Sequence, residues 1–298
     1  MMWEQKSFQA ETNKGTLYLV PTPIGNLDDM TFRALDVLKQ ADILAAEDTR
    51  HTLKLCTHFD IHVPLWSYHE HNKKTSGAKL LAALEEGKTV ALVTDAGTPG
   101  ISDPGADLAA ACAQQQIAVV PLPGANAALS ALIASGLGTD HFLFYGFLPR
   151  MKKEQEQVLH DLSRLSCSLI FYESPFRIKE TLLHIKKVMG DRQISLSREL
   201  TKRYETIVRG TTGEVLTYLE QLDQIKGEIC LVVAGADPEA LGSEEAAPWW
   251  SDLTLIEHVD RYIDEQSIPA KEAIKQVALD RKLPKREVYQ AYHHLDPK

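Results

Sequence analysis

The segment from Asp95 to Gly105 carries the groups best suited to hold a ligand. Its sequence is Asp-Ala-Gly-Thr-Pro-Gly-Ile-Ser-Asp-Pro-Gly, and it follows an apolar run, Thr89–Val93, that predicts a buried strand. Glycine lets backbone approach a ligand closely, proline restricts the loop, and the aspartates supply acceptor oxygens. An ordinary strand-to-helix turn is the alternative, but such turns are short and need fewer of these residues. Because open α/β sheets bind ligands at the carboxyl ends of their strands, we expect a ligand-binding loop.

A second candidate loop, Pro123–Ala128, joins a predicted strand to a helix of small residues. The free N–H groups at a helix N-terminus attract a carboxylate or a phosphate. Close packing of helix against strand would need the same small residues and is the alternative. We expect Gly97 in the first loop and Gly124 in this one to leave room for the ligand, so that valine at either position would abolish binding.

The loop Pro21–Asn26 follows the first predicted strand, where a dinucleotide fingerprint usually lies. It contains Gly25 but lacks the other glycines of G-x-G-x-x-G. Glu47, at the end of the next apolar run, is placed like the acid that binds a ribose hydroxyl in a Rossmann site. An NAD site is nevertheless disfavoured, because the phosphates would have no glycine loop to receive them.

Polar clusters follow several other predicted strands. Glu47–Arg50 combines two acids, a hydroxyl and an arginine, and the sequence leaves open whether it is a helix N-cap or part of a catalytic edge. Ser67–Asn72 places histidines on both sides of Glu70. Adjacent residues of an extended chain point apart, so a substrate-facing loop is favoured over a metal site. Tyr172–Arg177 and Arg198–Glu205 put charges just after strands, either facing a cleft or on plain surface.

Composition indicates an ordinary globular protein, with 44% hydrophobic and 24% charged residues. A net charge of −9 disfavours a protein that coats nucleic acid non-specifically, but it permits a local basic face. The sequence has no apolar stretch long enough to cross a bilayer and no signal peptide, so we expect a cytoplasmic protein. The four cysteines, which include Cys56, are scattered and lack metal-ligand spacing. The other three lie in apolar surroundings and indicate reduced core residues: Cys112, Cys167 and Cys230.

Apolar runs alternate with helical patterns, which predicts an α/β fold with a mostly parallel sheet in the first half. A second alternating unit follows, and helical patterns separated by prolines close the chain. We expect a disordered lead-in (1–14), a first α/β domain (15–146), a second α/β domain (147–236), a hinge (237–252) and a C-terminal helical extension (253–298). Residues 146–153 resemble a linker.

Six motifs in order resemble the tetrapyrrole methylase family, in particular members that methylate ribosomal RNA. They are Thr22–Leu27, Ala46–Arg50, Ser67–Asn72, Asp95–Gly105, Tyr172–Pro175 and Glu199–Lys202. The resemblance covers about residues 15–235 and extends to the C-terminal helices. It implies two α/β domains with S-adenosylmethionine (SAM) in the cleft between them, no metal, and a homodimer. It further implies 2′-O-methylation of a cytidine in the decoding region of 16S rRNA. The sequence leaves open whether the partner is free rRNA or the assembled 30S subunit.

The resemblance also implies, by position, cofactor contacts from both domains. The first domain would contribute Ile24, Ala96, Gly97, Thr98, Ile101, Asn126 and Ala127. The second would contribute Tyr172, Leu200, Ala234 and Gly235. Small-molecule members of the family have Gly-Gly-Asp-Pro where this chain has Ala96–Pro99. The acid missing at Thr98 leaves Asp95 or Asp103 to compensate, and we count Asp95 among the cofactor-binding residues.

Methyl transfer to a 2′-hydroxyl requires positioning and removal of a proton. The candidate catalytic residues are Asp48, Arg50, Glu70 and Glu173, and the sequence does not rank them. The candidate substrate-binding residues are His69, Asn72, Arg177, Lys202, Arg203, Lys285 and Arg286. The last two lie with Lys271 and Lys275 in the helical extension, where a local basic patch favours RNA over a merely solvated face.

Two other functions remain open. The first is a SAM-dependent methylase of a tetrapyrrole, another small molecule or a modified protein residue, which would not need a basic helical extension. The second is a non-catalytic protein that binds nucleotides or docks on rRNA, which the many polar strand ends disfavour.

Overall fold

The computed structural model of the protein describes residues 2–6, 13–237, 249–250, 252–266 and 268–293. The chain divides into two compact units, Met1–Ala236 and Asp237–Lys298. Within the described residues, the first unit contains two five-stranded sheets and the second contains helices. The α/β fold and the C-terminal helices that the sequence predicted are thereby confirmed.

The first sheet is parallel throughout. Its strands are β1 (Thr16–Leu19), β2 (Ile43–Ala46), β3 (Leu65–Ser67), β4 (Val90–Val93) and β5 (Ala118–Pro121). Their order is β3-β2-β4-β1-β5, and every neighbouring pair is parallel. The strands β2 and β4 are buried along their whole length, as expected of uniformly apolar strands covered on both faces. All five carboxyl ends therefore lie at one edge.

Helices cover both faces of this sheet. They are α1 (Phe32–Gln40), α2 (Thr49–His58), α3 (Lys73–Glu85) and α4 (Gly105–Gln114). Leu38 of α1 and Cys56 of α2 are buried in the core on one face. Leu80 of α3 and Leu108 of α4 are buried in the core on the other. The layers thus hold the strand ends rigidly while leaving their loops free to form a site.

The second sheet is mixed. Its strands are β6 (Phe142–Phe147), β7 (Ser168–Glu173), β8 (Gln193–Arg198), β9 (Thr206–Thr211) and β10 (Ile229–Val233). The order is β6-β7-β10-β8-β9, with β6 parallel to β7 and every other pair antiparallel. Since β7 and β8 both run opposite to β10, their carboxyl ends share an edge with the first residues of β10.

One helix from the first half of the chain packs on this second sheet. Helix α5 (Ala127–Ser135) follows β5, yet Ala131 and Leu132 are buried against Ile170 and Val232 of the second sheet. The opposite face is covered by α6 (Lys152–Leu162), α7 (Ile178–Met189) and α8 (Thr212–Glu220). Helix α5 therefore connects the two sheets, and its N-terminus lies where β5 ends.

Two predicted boundaries need correction. The predicted division after Gly146 falls inside β6, which pairs with β7 and belongs to the second sheet. The predicted linker, 146–153, contains the end of that strand and the beginning of α6. The sequence pattern did not predict α6, because the only buried apolar residues of this helix are Leu159 and Leu162. Two apolar positions are too few to produce a helical periodicity over its length.

The predicted lead-in is partly ordered. The side-chain amide of Gln5 donates to the carbonyl of Val119 and accepts from its amide, both at 2.9 Å, as a neighbouring strand would. The described part of the lead-in therefore extends the edge at β5. Residues 1 and 7–12 of the lead-in, and most of the predicted hinge (238–248 and 251), lie outside the described residues.

The second unit contains α9 (Leu255–Gln266), α10 (Ala270–Asp280) and α11 (Lys285–Tyr292). Its core includes Val259, Ile274, Val277 and Val288. His258 is fully buried and stacks between the rings of Trp250 and Tyr262. Burial lowers the pKa of His258, so this ring stays neutral within its aromatic surroundings. No helix among the described residues of either unit is long and apolar enough to span a membrane.

Gly235 offers a test of how tightly the end of β10 packs. A Cβ atom there would overlap the carbonyl group of Ser166, which is backbone and cannot move aside. Overpacking of this kind costs about 1–3 kcal/mol, so we expect Gly235→Ala to lower the free energy of unfolding by that amount in urea titrations.

Gly138→Ala is the matched control, because its new Cβ would find nothing nearer than the Ser168 hydroxyl at 3.9 Å. We expect this variant to stay within about 0.5 kcal/mol of the parent. Equal stability of the two variants would contradict the packing assignment.

Candidate active site

A cavity of about 520 Å³ lies where the strand ends of the two sheets meet. Cavities of this size accommodate small organic ligands. Most of the predicted cofactor residues line it: Ile24, Asp95, Ala96, Gly97, Thr98, Ile101, Asn126, Ala127, Tyr172 and Leu200. The structure thus brings together residues from both halves of the chain that the sequence could only place separately at strand ends.

Three loops of the first sheet are fastened to one another at the cavity. Thr22 and Gly97 exchange backbone hydrogen bonds, each amide donating to the other's carbonyl at 2.9 Å. The Thr22 hydroxyl donates to the carbonyl of Thr94 at 3.0 Å, and the Thr98 hydroxyl donates to the carbonyl of Ala125 at 3.0 Å. The loops after β1, β4 and β5 therefore form one surface.

The two glycines predicted to admit a ligand have different roles. Gly97 lines the cavity with a φ of +84°, a conformation that side chains with a Cβ rarely adopt. Gly124 does not line the cavity, and a Cβ at that position would lie 2.6 Å from the Cβ of Pro21. The expectation that Gly124 makes room for the ligand is wrong. Gly124 instead allows two loops to pack, which differs from the helix-to-strand packing that was the alternative for that segment.

Three carboxylates line the first-sheet wall of the cavity: Glu47, Asp95 and Asp103. Glu47 accepts from the hydroxyl of Thr94 at 2.7 Å, and Asp95 accepts from the amide of Asp48 at 3.1 Å. The sequence named Glu47 as a possible NAD contact and as a member of the Glu47–Arg50 cluster, but not as a cofactor-binding residue. These carboxylates make this wall suited to a ligand with positive charge.

Asp103 shapes the loop in which it lies. Its carboxylate accepts from the amides of Gly100 at 2.9 Å and Gly105 at 2.7 Å. Burial raises the pKa of Asp103, and these backbone hydrogen bonds oppose that shift. Both Asp103 oxygens accept hydrogen bonds within the loop, so Asp103 is a poor replacement for the acid missing at Thr98. Asp95 is better suited, because one of its oxygens has no hydrogen bond to a described residue.

The wall from the second sheet is less polar. Tyr172, Leu200 and Cys230 line it, and burial raises the pKa of both Tyr172 and Cys230 to about 12. Both groups are therefore neutral near pH 7. The Ser197 side chain lies beside them, and its hydroxyl is buried without a hydrogen-bond partner among the described residues.

Ala234 and Gly235 do not reach this cavity. They follow β10, which runs antiparallel to its neighbours, and the Ala234 amide donates to the carbonyl of Gln193 at the beginning of β8. They therefore lie at the opposite edge of the sheet, which corrects their assignment as cofactor contacts. The start of β10 contributes instead, through Gly227–Cys230, and only the strand direction could have revealed this.

The Glu47–Arg50 cluster forms the N-terminus of α2. The Asp48 carboxylate accepts from the Arg50 amide at 2.8 Å and pairs with the Arg50 guanidinium at 2.7 Å. The hydrogen bonds from Arg50 hold the pKa of Asp48 well below its usual range. Asp48 thus caps the helix, and its low proton affinity makes it a weak general base. Neither residue lines the cavity described above.

Glu173 is the one predicted catalytic acid that lines the cavity, and it is buried. Its oxygens accept from the Ser174 amide and the Thr181 hydroxyl, each at 2.7 Å. Arg177 lies 3.7 Å from the same carboxylate and donates to the carbonyl of Pro149 at 2.8 Å. Arg177 is therefore occupied within the protein, contrary to its predicted role in binding substrate.

The Ser67–Asn72 motif builds its own loop. Asn72 accepts from the His69 amide at 2.8 Å and donates to the Ser67 hydroxyl at 2.9 Å. Glu70 pairs with Lys73 at 2.8 Å on the surface. Neither Glu70, His69 nor Asn72 lines the cavity, although Nδ1 of His69 is buried without a partner in the described part of the chain.

A second cavity of about 620 Å³ adjoins the first and shares Ile24, Asp95 and Ala96 with it. Lys202 lines this second cavity and forms ion pairs with Glu199 at 3.0 Å and Glu228 at 2.9 Å.

Two residues of α2, His51 and Lys54, also line it. The sequence motifs did not single out either residue, although their spacing places them on one face of the helix, which was a usable signal.

The remaining predicted substrate-binding residues lie outside both cavities. Arg203 is exposed beside the ring of Tyr204. Lys285 and Arg286 are exposed at the beginning of α11 in the second unit. The described residues contain no group of three or more His, Cys, Asp or Glu side chains arranged to hold a metal ion.

The fold and the cavity define a two-sheet α/β protein with a ligand cavity at the strand ends of both sheets. Its fold resembles the methyltransferase CobJ (TM-score 0.57, 18% identity, 74% of this chain and 95% of that one). It also resembles the uroporphyrin-III C-methyl transferase of Thermus thermophilus, solved with S-adenyl homocysteine (TM-score 0.52, 18% identity, 73% and 97%). A model of the tetrapyrrole (corrin/porphyrin) methylases matches residues 16–216, and the chain belongs to that family.

The sequence relatives are much more similar. The chain is 54% identical to the protein named ribosomal RNA small subunit methyltransferase I in Bacillus subtilis (strain 168), over 98% of this chain and 99% of that protein. It is 46% identical to the Synechocystis protein of the same name, over 93% and 96%. The predicted resemblance to the tetrapyrrole methylase family is confirmed.

The cap at α2 predicts a pH-dependent stability. Because the folded-state pKa of Asp48 is lowered, its stabilisation is present above about pH 4, the usual value for a carboxylate, and is lost as pH falls further. Asparagine still caps a helix but cannot pair with Arg50. We expect Asp48→Asn to be less stable than the parent at pH 7 and the difference to shrink in urea titrations below pH 4.

Arg50→Gln removes the other half of the pair and should give the same profile. A stability difference that stays constant from pH 7 to pH 2 would contradict the proposed origin of the effect.

Proposed function

We propose that this protein transfers a methyl group from SAM to the 2′-oxygen of a cytidine in the decoding region of 16S rRNA. The observation that carries the proposal is the near-full-length similarity to proteins named ribosomal RNA small subunit methyltransferase I. The nucleotide and the 2′-oxygen come from the motif resemblance in the sequence. The cavity between the sheets supplies a site of suitable size for the cofactor.

The lining of the cavity fits SAM. This cofactor carries positive charge on its sulfonium and amino groups, and Glu47 and Asp95 lie on one wall. Its adenosine part is uncharged and largely flat, which suits the opposite wall of Tyr172, Leu200 and Cys230. When bound, SAM supplies an electrophilic methyl group. The chain's own contribution is to hold the cofactor rigidly, which the fastened loops around Thr22 and Gly97 achieve.

The second cavity is the proposed acceptor site, because it shares lining residues with the first and is lined by His51 and by the cationic Lys54. Cationic side chains position an RNA strand through its phosphates. Glu173 stays a candidate for the catalytic group, since it lines the cofactor cavity. Asp48 and Arg50 are better suited to positioning α2, which carries the cationic residues, than to moving a proton.

The partners follow from this proposal. The RNA substrate is the free small-subunit rRNA or the assembled 30S subunit, and the protein acts in the cytoplasm, where that substrate is made. A homodimer stays a prediction based on the resemblance. In the second unit, Lys271, Lys275, Lys285 and Arg286 are exposed and form a proposed additional contact with RNA.

The decisive experiment measures transfer of tritium from methyl-labelled SAM to 30S subunits, free 16S rRNA and uroporphyrinogen. We expect label in the ribosomal substrates and none in the tetrapyrrole. Gly97→Val should lose SAM binding in calorimetry, because a branched side chain would both strain a backbone at φ +84° and project beside Ile24 in the cavity.

Gly190→Val provides a matched control for the strain alone. Gly190 has a φ of +83° and lies outside the cavity lining, and a Cβ at that position would have no atom within 4 Å. We expect normal SAM affinity for this variant. Labelling of the tetrapyrrole but not of rRNA would overturn the proposed function.

The basic residues of the second unit predict a salt-dependent contribution to RNA binding. Removing one phosphate-binding side chain lowers the steepness of the plot of log affinity against log salt by about 1. We expect Lys285→Ala with Arg286→Ala to weaken binding to 30S subunits and to flatten that plot, while SAM affinity stays unchanged. An unchanged slope would show that these side chains are only solvated.

A further inference from the structure

Two aromatic side chains at the mouth of the cofactor cavity are largely exposed. Phe147 is 58% exposed at the end of β6 and lines the cavity. Phe176 is 91% exposed in the turn after β7, and its neighbours Ser174 and Pro175 line the same cavity. Single exposed apolar residues are common on proteins, but a pair beside a ligand cavity suggests a binding surface.

The two segments that carry these rings are fixed in place. Phe147 pairs in register with Tyr172, and their rings meet edge to face with centroids 5.6 Å apart. The guanidinium of Arg177, the residue after Phe176, donates to the carbonyls of Leu148 at 3.2 Å and Pro149 at 2.8 Å. Arg177 therefore joins the turn that carries Phe176 to the residues after Phe147, so the rings project from a prepared surface.

Positive charge follows directly along the chain. Arg150, Lys152 and Lys153 are exposed at the start of α6, against the single carboxylate of Glu154 in that turn. Exposed aromatic rings beside cationic side chains are the combination that binds single-stranded nucleic acid, since bases stack on the rings and phosphates meet the cations. A small uncharged or cationic ligand would gain nothing from this cluster of charges.

We propose that Phe147 and Phe176 stack on unpaired bases of the RNA substrate, while Arg150, Lys152 and Lys153 bind its phosphates. The strand must be unpaired there, because bases inside a helix offer no free face to a side chain. This inference rests on the proposed function and adds a substrate-binding surface of residues 147–153 and 176. The sequence placed 147–153 in a linker and gave Phe176, inside the Tyr172–Arg177 motif, no role of its own.

The test compares KM for the ribosomal substrate with the dissociation constant for SAM. Loss of one stacked base weakens binding by roughly tenfold or more. We expect Phe147→Ala to raise KM for the RNA by about tenfold with SAM affinity within about twofold of the parent. Phe147→Tyr should retain the parent KM, whereas Phe147→Leu should behave like alanine, because it preserves apolar bulk without a flat ring.

Phe142→Ala is the matched control. Phe142 is 44% exposed on the same strand, at the end away from the cavity, and does not line it. We expect this variant to match the parent in KM. An equal rise in KM for Phe142→Ala and Phe147→Ala would overturn the inference, because it would show that loss of any exposed aromatic side chain has the same effect.

The remaining outcomes are distinguishable from one another. If Phe147→Ala weakens SAM binding as much as it raises KM, the ring belongs to the cofactor site and the inference is wrong. If the parent enzyme labels rRNA and Phe147→Ala labels it equally well, the inference also fails while the proposed function stands. Failure of the parent to label any rRNA would instead overturn the proposed function. In that case the stacking surface is tested by binding of an unpaired RNA oligonucleotide, and equal affinity of Phe147→Ala and the parent would reject it.

Discussion

The reciprocal backbone hydrogen bonds between Thr22 and Gly97 are the constraint on which the candidate site depends. They join the loop after β1 to the loop after β4, two strands that are neighbours in the sheet. Without a side chain on Gly97 the backbone adopts its left-handed conformation at little cost and faces the cavity directly. The threonine hydroxyls at positions 22 and 98 then extend the connection to Thr94 and Ala125.

Strand direction determines which residues meet at that surface. The first sheet is parallel, so every loop at its carboxyl edge is available. In the second sheet the antiparallel β10 enters the same edge with its first residues, between β7 and β8. The cavity consequently receives Tyr172 from a strand end and Cys230 from a strand beginning.

The sequence predicted the alternation of strands and helices and most of the cavity lining, because both depend on local patterns. The apolar run Thr89–Val93, for example, was predicted as a buried strand and contains β4 (Val90–Val93). The sequence wrongly assigned Ala234 and Gly235 to the cofactor site. The composition of a strand does not reveal its direction, and direction determines which end of β10 lies at the cavity. The sequence also failed at Arg177, whose partner carbonyl on Pro149 lies on a segment that only the folded chain brings near. It failed at Asn72 for a different reason, because this side chain bonds within its own motif, to Ser67 and His69. Residue type predicted which segments carry charged side chains. Tertiary contacts determine whether those side chains are available to a ligand or hold the protein's own loops in place.

Charge distribution reconciles an acidic protein with an RNA substrate. The chain carries a net charge of −9, which would repel a polyanion at long range. At physiological ionic strength the Debye length is about 8 Å, so charges farther away than this contribute little at the surface where RNA binds. What matters there is the local set of cations. Lys54 beside the second cavity and Lys152 at the start of α6 are exposed, whereas Lys202 and Arg177 are held by internal partners. Lys54 and Lys152 are therefore available to phosphates near the cavities, as Lys285 and Arg286 are in the second unit, whereas Lys202 and Arg177 maintain the shape of the cavity walls.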